Sequence, residues 1–232
     1  MSKVSGTLYV IATPIGNLED ITYRSIKTLS SVDYVLSEDT RVTKKILDKY
    51  NIKNQLISFN EKNEVNKIDK IILDLKESKK IALVSDAGTP CISDPGFRLI
   101  SRIKDNNLSV SVIPIPGASA AITALSVSGL PSDSFYFVGF LPKKKGRAKK
   151  IKELSIMKSS LIIYESPYRV EKTLLNLYNE LGNRRVFIGR EMTKMFEEYI
   201  YSDLKSITTS DQTLKAKGEY VIVIAKEGFK DE

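Results

Sequence analysis

The chain has 232 residues, of which 42% are hydrophobic and 28% charged, and its formal net charge at pH 7 is +8. It contains no histidine and one cysteine, Cys91, which excludes histidine-dependent catalysis, histidine-ligated metals, an intramolecular disulfide and thiolate metal clusters. The excess of positive charge favours an anionic partner such as a nucleic acid, although a lysine-rich genome would produce the same excess.

The N-terminal segment and the hydropathy pattern bear on location. Residues 1–6 lack the apolar core and cleavage site of a signal peptide, and no apolar run approaches the ~20 residues needed to cross a bilayer. We therefore expect a cytoplasmic protein without a membrane partner.

Strand and helix signals alternate through the first half of the chain. Apolar and β-branched residues predict strands at 7–13, 32–37, 56–59, 81–84 and 109–113. Apolar residues at helical spacing predict helices after residue 20, at 43–50, at 65–75 and from 97 to about 104. Asn17 or Asp20 is expected to cap the first helix. The alternation is typical of an α/β fold in which helices cover a parallel sheet.

The loop at 85–96 is the most informative segment of this half. It follows an uninterrupted apolar strand, which is typical of a strand buried on both faces, and its glycines and prolines prevent regular structure. Ligands of open α/β sheets bind at the carboxyl ends of the strands, where this loop presents the carboxylate of Asp86. The alternative interpretation is a structural turn in which Asp86 and Asp94 cap helices.

A second polar cluster, Glu38, Asp39, Thr40 and Arg41, follows the strand at 32–37. Two carboxylates, a hydroxyl and a guanidinium at the end of a parallel strand are candidates for catalysis. The alternative interpretation is a helix cap with a surface ion pair, which contributes about 1 kcal/mol or less.

The strand pattern begins again in the second half. The predicted strands are 135–142, 161–164, 186–190 and 220–224, with a helix over 170–181. A helix of small residues begins at Gly117, and we therefore place an N-terminal α/β domain at 1–117 and a C-terminal α/β domain at 118–232.

Positive charge is concentrated in residues 143–150, which read Lys-Lys-Lys-Gly-Arg-Ala-Lys-Lys. Such a run is usually a solvated loop, but beside a functional site it would bind a phosphate backbone.

The loops carry motifs other than the common nucleotide-binding ones, because no Gly-x-Gly-x-x-Gly follows a strand and no P-loop is present. Nine motifs occur in order: Thr-Pro-Ile-Gly-Asn-Leu at 13–18, Glu-Asp-Thr-Arg at 38–41, Ser-Asp-Ala-Gly-Thr-Pro at 85–90, Asp-Pro-Gly at 94–96, Leu-Pro-Ser-Asp at 130–133, Gly-Phe-Leu-Pro at 139–142, Tyr-Glu-Ser at 164–166, Arg-Glu-Met-Thr-Lys at 190–194 and Lys-Gly-Glu at 217–219. In this order, over nearly the whole chain, the sequence resembles the ribosomal RNA small subunit methyltransferase I group of the tetrapyrrole methylase superfamily.

The resemblance implies a two-domain tetrapyrrole-methylase-like fold, with a parallel sheet and flanking helices in the N-terminal domain and a mixed α/β C-terminal domain. It also implies a homodimer that binds S-adenosylmethionine in the cleft between the domains. The implied reaction is methylation of the ribose 2′-hydroxyl of a cytidine in small-subunit ribosomal RNA, either as naked RNA or within the assembled subunit.

Site residues follow from the resemblance and from residue type. Glu38, Asp39 and Arg41 are the catalytic candidates, because a ribose hydroxyl is a poor nucleophile and needs a carboxylate or directed water beside it. The residues expected to enclose the cofactor are Pro14, Gly16, Asp86, Ala87, Gly88, Thr89, Pro90, Ser119, Ala120, Leu141 and Ser166. No metal is expected, because the sulfonium donor is already activated.

Two departures limit what is carried over from the family. The loop at 60–64 has no histidine, although many relatives carry histidines there, so a histidine is not essential at this position. Longer relatives continue past the last strand into a C-terminal helical extension, and any contribution of that extension to substrate binding or assembly is not carried over.

Two other functions remain open at this point. A methylase of a tetrapyrrole-like small molecule would share the fold and the cofactor cleft, but the basic segment at 143–150 argues against it. A non-catalytic RNA-binding module would not need the complete set of cofactor loops.

Overall fold

The computed structural model of the protein describes residues 6–106, 108–210 and 213–229. The chain forms two compact units, Met1–Ser119 and Ala120–Glu232. Each unit combines a five-stranded sheet with helices, which confirms the predicted α/β class. Within the described ranges, no helix is long and apolar enough to cross a membrane.

The sheet of the first unit is parallel throughout, as predicted. Its strands are β1 (Thr7–Ile11), β2 (Tyr34–Ser37), β3 (Leu56–Ser58), β4 (Lys80–Val84) and β5 (Ser111–Ile115). They lie side by side in the order β3-β2-β4-β1-β5. The helices of this unit are α1 (Tyr23–Leu29), α2 (Thr40–Lys49), α3 (Glu64–Lys76) and α4 (Phe97–Asp105), and a short 3-10 helix, Leu18–Asp20, precedes α1.

The position of β4 at the centre of the sheet explains its uninterrupted apolar sequence. Ile81 and Leu83 belong to a core cluster that includes α3 and α4, whereas Ala82 and Val84 belong to a second cluster that includes α1 and α2. All four side chains are at most 2% exposed. Because helices cover both faces of the strand, none of these four positions tolerates a polar residue.

Two details of the first unit differ from the sequence prediction. The cap of α1 is Thr22, whose hydroxyl accepts a hydrogen bond from the Ser25 N–H at 3.1 Å, whereas Asn17 caps the 3-10 helix and Asp20 lies inside it. The extended backbone at Ile21 separates the two helices. The second difference is that β5 includes Pro114, which is tolerated because β5 lies at the edge of the sheet.

The second unit is an α/β domain, as predicted, and its sheet is mixed. Its strands are β6 (Phe135–Phe140), β7 (Ser160–Glu165), β8 (Arg185–Arg190), β9 (Glu198–Asp203) and β10 (Tyr220–Ile224). Their order is β6-β7-β10-β8-β9, with β6 parallel to β7 and the other neighbours antiparallel. The helices are α5 (Ala120–Val127), α6 (Arg147–Ser155), α7 (Val170–Leu181) and α8 (Leu204–Thr209).

The sequence pattern did not predict α6, β9 or α8. Helix α6 begins inside the basic segment, after Gly146 in a left-handed conformation, and buries only Ile151 and Leu154. The solvated-loop interpretation therefore holds for only the first part of residues 143–150. Strand β9 lies at the sheet edge, and Asp203 ends it and caps the short helix α8.

Candidate functional site

The loops that follow the strands of the first unit meet at the carboxyl edge of its sheet. Thr13, after β1, and Gly88, after β4, form an isolated bridge in which each N–H donates to the other carbonyl, at 2.9 and 3.0 Å. The Thr13 hydroxyl also donates to the Ser85 carbonyl at 3.1 Å. After β5, the Ala118 carbonyl accepts a hydrogen bond from the Thr89 hydroxyl at 3.2 Å. The predicted gathering of loops at strand ends is therefore present.

Asp86 joins the loop after β4 to the loop after β2. Its Oδ1 accepts a hydrogen bond from the Asp39 N–H at 2.8 Å. Burial raises the pKa of Asp86, and the nearby Asp39 carboxylate raises it further, while the Asp39 N–H opposes the shift. Asp86 therefore positions the start of α2 as well as presenting a half-buried carboxyl at the sheet edge.

Asp39 and Arg41 form the helix cap that was the alternative to a catalytic role. Asp39 Oδ1 accepts from the Arg41 N–H at 2.9 Å, and the Arg41 guanidinium contacts both carboxylate oxygens, with Nη2 2.5 Å from Oδ2. Hydrogen bonds from Arg41 lower the pKa of Asp39 to about 2. Asp39 is therefore a weak proton acceptor at neutral pH.

Glu38 lies beside Asp39 but has the opposite electrostatic environment. Its side chain is half-buried, and burial, followed by the charge of Asp86, raises the pKa of its carboxyl above the usual range. A carboxylate with a raised pKa binds a proton more readily than an ordinary surface carboxylate does. Of the three catalytic candidates, Glu38 is the one with the chemistry of a base.

The cofactor residues predicted in the first unit differ in accessibility. Pro14, Gly88 and Pro90 are buried, Gly16 and Ala87 are exposed, and Asp86, Thr89 and Ser119 are half-buried. The Ala87 and Gly88 carbonyls accept from the Ser85 hydroxyl at 3.4 and 3.2 Å. Gly88 has φ +83°, and an added Cβ would lie 3.4 Å from the Ile15 side chain. The loop is thus held closely by its neighbours, and Ala87 is its most accessible predicted residue.

Three predicted cofactor residues, Ala120, Leu141 and Ser166, belong to the second unit. The Leu141 side chain is buried in the core of this unit, so contact with a ligand would be restricted to its backbone. Ala120 begins α5, and the next N–H, that of Ala121, donates to the Tyr164 hydroxyl at 3.0 Å. This bond connects the start of α5 to the end of β7, where Ser166 follows.

The Glu165 side chain is fully buried at the end of β7 and is surrounded by hydrogen-bond donors. Its Oε1 accepts from the Ser166 N–H at 2.8 Å and lies 2.5 Å from Arg169 Nη2, and its Oε2 accepts from the Thr173 hydroxyl at 2.6 Å. Arg147 donates to the Thr173 hydroxyl at 2.6 Å, and its Nη1 lies 3.7 Å from Glu165 Oε2. The predicted role of Arg147 in RNA binding is therefore wrong, because its side chain is only 11% exposed and is held in this network.

The last two of the nine sequence motifs, at 190–194 and 217–219, also form an internal network. Arg190 donates to the Lys217 carbonyl at 2.9 Å, and the Lys194 ammonium lies 2.8 Å from Glu191 Oε1 and 2.7 Å from Glu219 Oε2. These motifs therefore connect β8 to the segment before β10. Across the described ranges, no group of three or more aspartate, glutamate or cysteine side chains is arranged to hold a metal ion.

Comparison with known proteins shows the family of this chain. A model of Tetrapyrrole (Corrin/Porphyrin) Methylases matches residues 7–208. The ribosomal RNA small subunit methyltransferase I of Halalkalibacterium halodurans is 48% identical over 229 residues, which cover 98% of this chain and 78% of that protein. The chain belongs to the ribosomal RNA small subunit methyltransferase I family of tetrapyrrole methylases. The resemblance predicted from the nine motifs is confirmed.

Two further similarities define the extent of the match to this methyltransferase family. The ribosomal RNA small subunit methyltransferase I of Thermotoga maritima is 44% identical over 220 residues, which cover 95% of this chain and 98% of that protein. The solved structure of uroporphyrin-III-C-methyltransferase from Thermus thermophilus has a TM-score of 0.65 at 16% identity and covers 95% of this chain and 94% of its own. The second similarity concerns the fold alone, and it confirms the predicted tetrapyrrole-methylase architecture.

Sequence reasoning identified the sheet edge but missed residues that shape it. Thr13 and Ser85 were not predicted as site residues, although both lie at motif positions directly after a strand. Asp94 was considered only as a cap, but its carboxyl is half-buried near Glu38 and Asp86. Glu64 gave no sequence signal, because an acid in the first turn of a helix is common.

Proposed function

We propose that the protein uses S-adenosylmethionine to methylate the ribose 2′-hydroxyl of a cytidine in small-subunit ribosomal RNA. The observation that carries the proposal is the half-buried Glu38, with a raised pKa, at the sheet edge where the loops after β1, β2, β4 and β5 meet. The relatives at 48% and 44% identity, which are named as ribosomal RNA small subunit methyltransferases, support the substrate class.

The residues at the sheet edge fit the proposed cofactor. Glu38 and Asp86 present carboxyl groups in one region, which suits a ligand that carries a positive sulfonium and an ammonium group. Gly88 and the exposed Ala87 offer backbone at close approach. When bound, S-adenosylmethionine supplies an activated methyl group, which leaves the protein to orient the acceptor hydroxyl and remove its proton.

Glu38 is the proposed base that receives the proton of the ribose hydroxyl. Its raised pKa favours proton capture, and Asp39 is excluded from that role by its hydrogen bonds to Arg41. Arg41 is exposed and paired with Asp39, so its proposed role is to contact a phosphate flanking the target nucleotide.

The proposed partner is small-subunit ribosomal RNA, as naked RNA or within the assembled subunit. The net charge of +8 and the exposed residues Lys143, Lys144, Lys145 and Lys149 favour contact with a phosphate backbone. We further propose that the protein acts in the cytoplasm and that it is a homodimer, the second of which the family resemblance implies. Sedimentation of the purified protein would test the dimer, and a monomer at micromolar concentration would contradict it.

The experiment that tests the activity is mass mapping of methylated nucleotides. Unmodified small subunits and naked small-subunit rRNA are each incubated with the protein and S-adenosylmethionine, then digested and compared with reactions lacking the cofactor. We expect one new methyl group, on the ribose of a single cytidine. Methylation of a base would contradict the proposed chemistry, and absence of RNA methylation with transfer to a tetrapyrrole would favour a small-molecule methylase.

A further inference from the structure

A cavity of about 380 Å³ opens between the loop after β3 and the start of α4 in the first unit. Its lining residues are Glu61, Glu64, Asp94, Pro95, Gly96, Phe97 and Arg98. The Asp-Pro-Gly motif at 94–96 forms part of this lining, but neither the proposed cofactor site nor the proposed base uses it. The cavity is large enough for a nucleobase.

Glu64 is the most unusual group in the lining of this cavity. The residue is 5% exposed, and its Oε1 lies 3.1 Å from Arg98 Nη1. Its Oε2 is buried and has no hydrogen-bond partner in the part of the chain that the structure describes. A buried carboxylate oxygen without a donor is costly, and Glu64 lines the cavity, so a ligand there that donates an N–H group to its carboxylate would relieve this cost.

The other lining residues add a proton donor, a ring and a cation. Burial, followed by the charge of Glu38, raises the pKa of Asp94 to about 7, so near neutral pH a large fraction of this carboxyl carries a proton that it can donate. Asp86 and Cys91 are the other titratable groups that interact with Asp94. The Phe97 ring is 70% exposed, and the Arg98 side chain is 61% exposed.

The backbone of this lining is held in place by packing at Gly96. This residue has φ +121°, and an added Cβ would lie 2.6 Å from Leu83 and 2.8 Å from the Cys91 sulfur. Any side chain at this position would therefore displace the loop that lines the cavity.

We propose that this cavity receives the base of the target cytidine, with Glu64 accepting a hydrogen bond from its exocyclic amino group. This inference rests on the proposed function and names the residues that select the base. Cytosine presents an amino donor beside a ring-nitrogen acceptor and a carbonyl acceptor on its pairing edge. Glu64 supplies the acceptor, and Asp94 and Arg98 supply donors, whereas uracil would place a carbonyl against Glu64.

The charge of the cavity also favours a base over other parts of the RNA. Even with a proton on Asp94, the lining has two other carboxyl groups for one guanidinium, so a phosphate would be repelled, but a neutral base that carries an amino group would not. The exposed ring of Phe97 offers a surface on which a base can stack.

The test compares two RNA oligonucleotides that contain the methylated position found by mass mapping. One has cytidine there, and the other has the 2-pyrimidinone ribonucleoside, which lacks only the amino group. Equilibrium binding is measured by fluorescence anisotropy with S-adenosylhomocysteine present, so that no methyl transfer occurs. We expect the protein to bind the cytidine oligonucleotide about tenfold more tightly.

The Glu64→Met variant should bind both oligonucleotides with equal affinity, whereas Glu77→Gln, an exposed acid outside the cavity, should keep the tenfold preference. A folded Glu64→Met variant that keeps the preference would overturn the inference.

If Glu64→Met does not fold, Phe97→Ala provides the test, because the exposed ring is not needed for packing. It should bind the cytidine oligonucleotide about tenfold more weakly, and unchanged affinity would overturn the inference.

These outcomes are separable from failure of the proposed function. A mapped cytidine 2′-O-methyl group together with an unchanged preference in Glu64→Met would contradict the cavity alone. A methyl group mapped to another nucleotide, or none on RNA, would contradict both.

Discussion

Glu38 and Asp39 are adjacent residues at the end of β2, yet their environments shift their carboxyl pKa values in opposite directions. Arg41 and the start of α2 stabilise the charged form of Asp39, while burial and Asp86 destabilise the charged form of Glu38. A pair of neighbouring acids with separated pKa values is typical of a site where one acid has a structural role and the other transfers a proton.

The Glu38→Gln variant should lower kcat about 10²- to 10⁴-fold and leave the dissociation constant for S-adenosylmethionine unchanged, because only proton removal is lost. Single-turnover methylation and calorimetry measure the two quantities. The matched control is Asp39→Asn, since asparagine caps a helix as well as aspartate does, and it should retain most of the activity. A similar loss in both variants would contradict the assignment of Glu38.

The raised pKa of Glu38 also fixes the direction of the pH dependence. The base must be deprotonated, so kcat should fall as pH decreases through the raised pKa of Glu38 and should level off above it. This decrease of kcat at low pH, the acid limb of the pH profile, should disappear in Glu38→Gln. A limb that persists unchanged in the variant would show that another group titrates.

Glu64 offers a second residue-level prediction, which concerns stability. Because its Oε2 has no partner among the described residues, replacing Glu64 by methionine removes an unsatisfied buried atom and leaves Arg98 largely exposed to solvent. We expect the free energy of unfolding to stay the same or to rise by about 1–3 kcal/mol. Urea unfolding measures it, and a clear loss of stability would indicate that Glu64 serves the fold.

At the scale of elements, Glu165 contrasts with Glu64, because both oxygens of the Glu165 carboxylate accept hydrogen bonds from groups in several elements. Through Arg169 and Thr173 it joins β7 to α7, and Arg147 brings the start of α6 into the same network. Arg169 also donates to the Leu141 carbonyl at 3.3 Å, which fixes the loop after β6.

The Glu165→Gln variant should lose about 3 kcal/mol of unfolding free energy, because it leaves the partly buried guanidinium groups of Arg147 and Arg169 without their counter-charge. The control is Glu180→Gln on the exposed side of α7, which should change stability by less than about 0.5 kcal/mol. Both are measured by urea unfolding. Equal stability of the two variants would contradict a role for this network in the fold.

The elements that were predictable from sequence are those whose burial leaves a clear pattern. Strand β4 is covered on both faces and reads as an apolar run, so the parallel sheet and its carboxyl-end loops could be inferred. Helix α6 begins with basic residues and contributes two buried side chains, so it shows no strong periodicity. The pairing of Arg147 with Glu165 could not be inferred either, because it depends on the approach of α6 and β7 in three dimensions.

At the scale of the whole molecule, the net charge of +8 is not evenly placed along the chain. Four lysines, Lys143, Lys144, Lys145 and Lys149, are exposed around the start of α6, while Lys150 lies 5.2 Å from the centre of the Tyr136 ring. With Arg147 assigned to the Glu165 network, these exposed lysines are the candidates for RNA binding in this segment.

The Lys144→Glu/Lys145→Glu variant should raise the KM for the ribosomal substrate, because fewer phosphates of the RNA are neutralised. The slope of the logarithm of the RNA binding constant against the logarithm of salt concentration should decrease in magnitude by about 0.7–0.9 for each phosphate that the variant no longer neutralises. The affinity for S-adenosylmethionine should not change. A variant with the same change in net charge, Lys49→Glu/Lys53→Glu in the first unit, serves as the control. Identical slopes for the two variants would indicate a general effect of net charge rather than local binding of RNA.

The strand order β3-β2-β4-β1-β5 has a consequence for synthesis of the chain. Both partners of β1, which are β4 and β5, follow it by more than seventy positions, since β1 begins at Thr7 and β4 at Lys80. At about 5–20 residues per second, a ribosome needs roughly 4–15 s to make the intervening segment. During that interval β1 waits without a partner, and the Thr13–Gly88 bridge cannot form. A nascent chain therefore acquires its candidate catalytic edge only when its first unit is nearly complete.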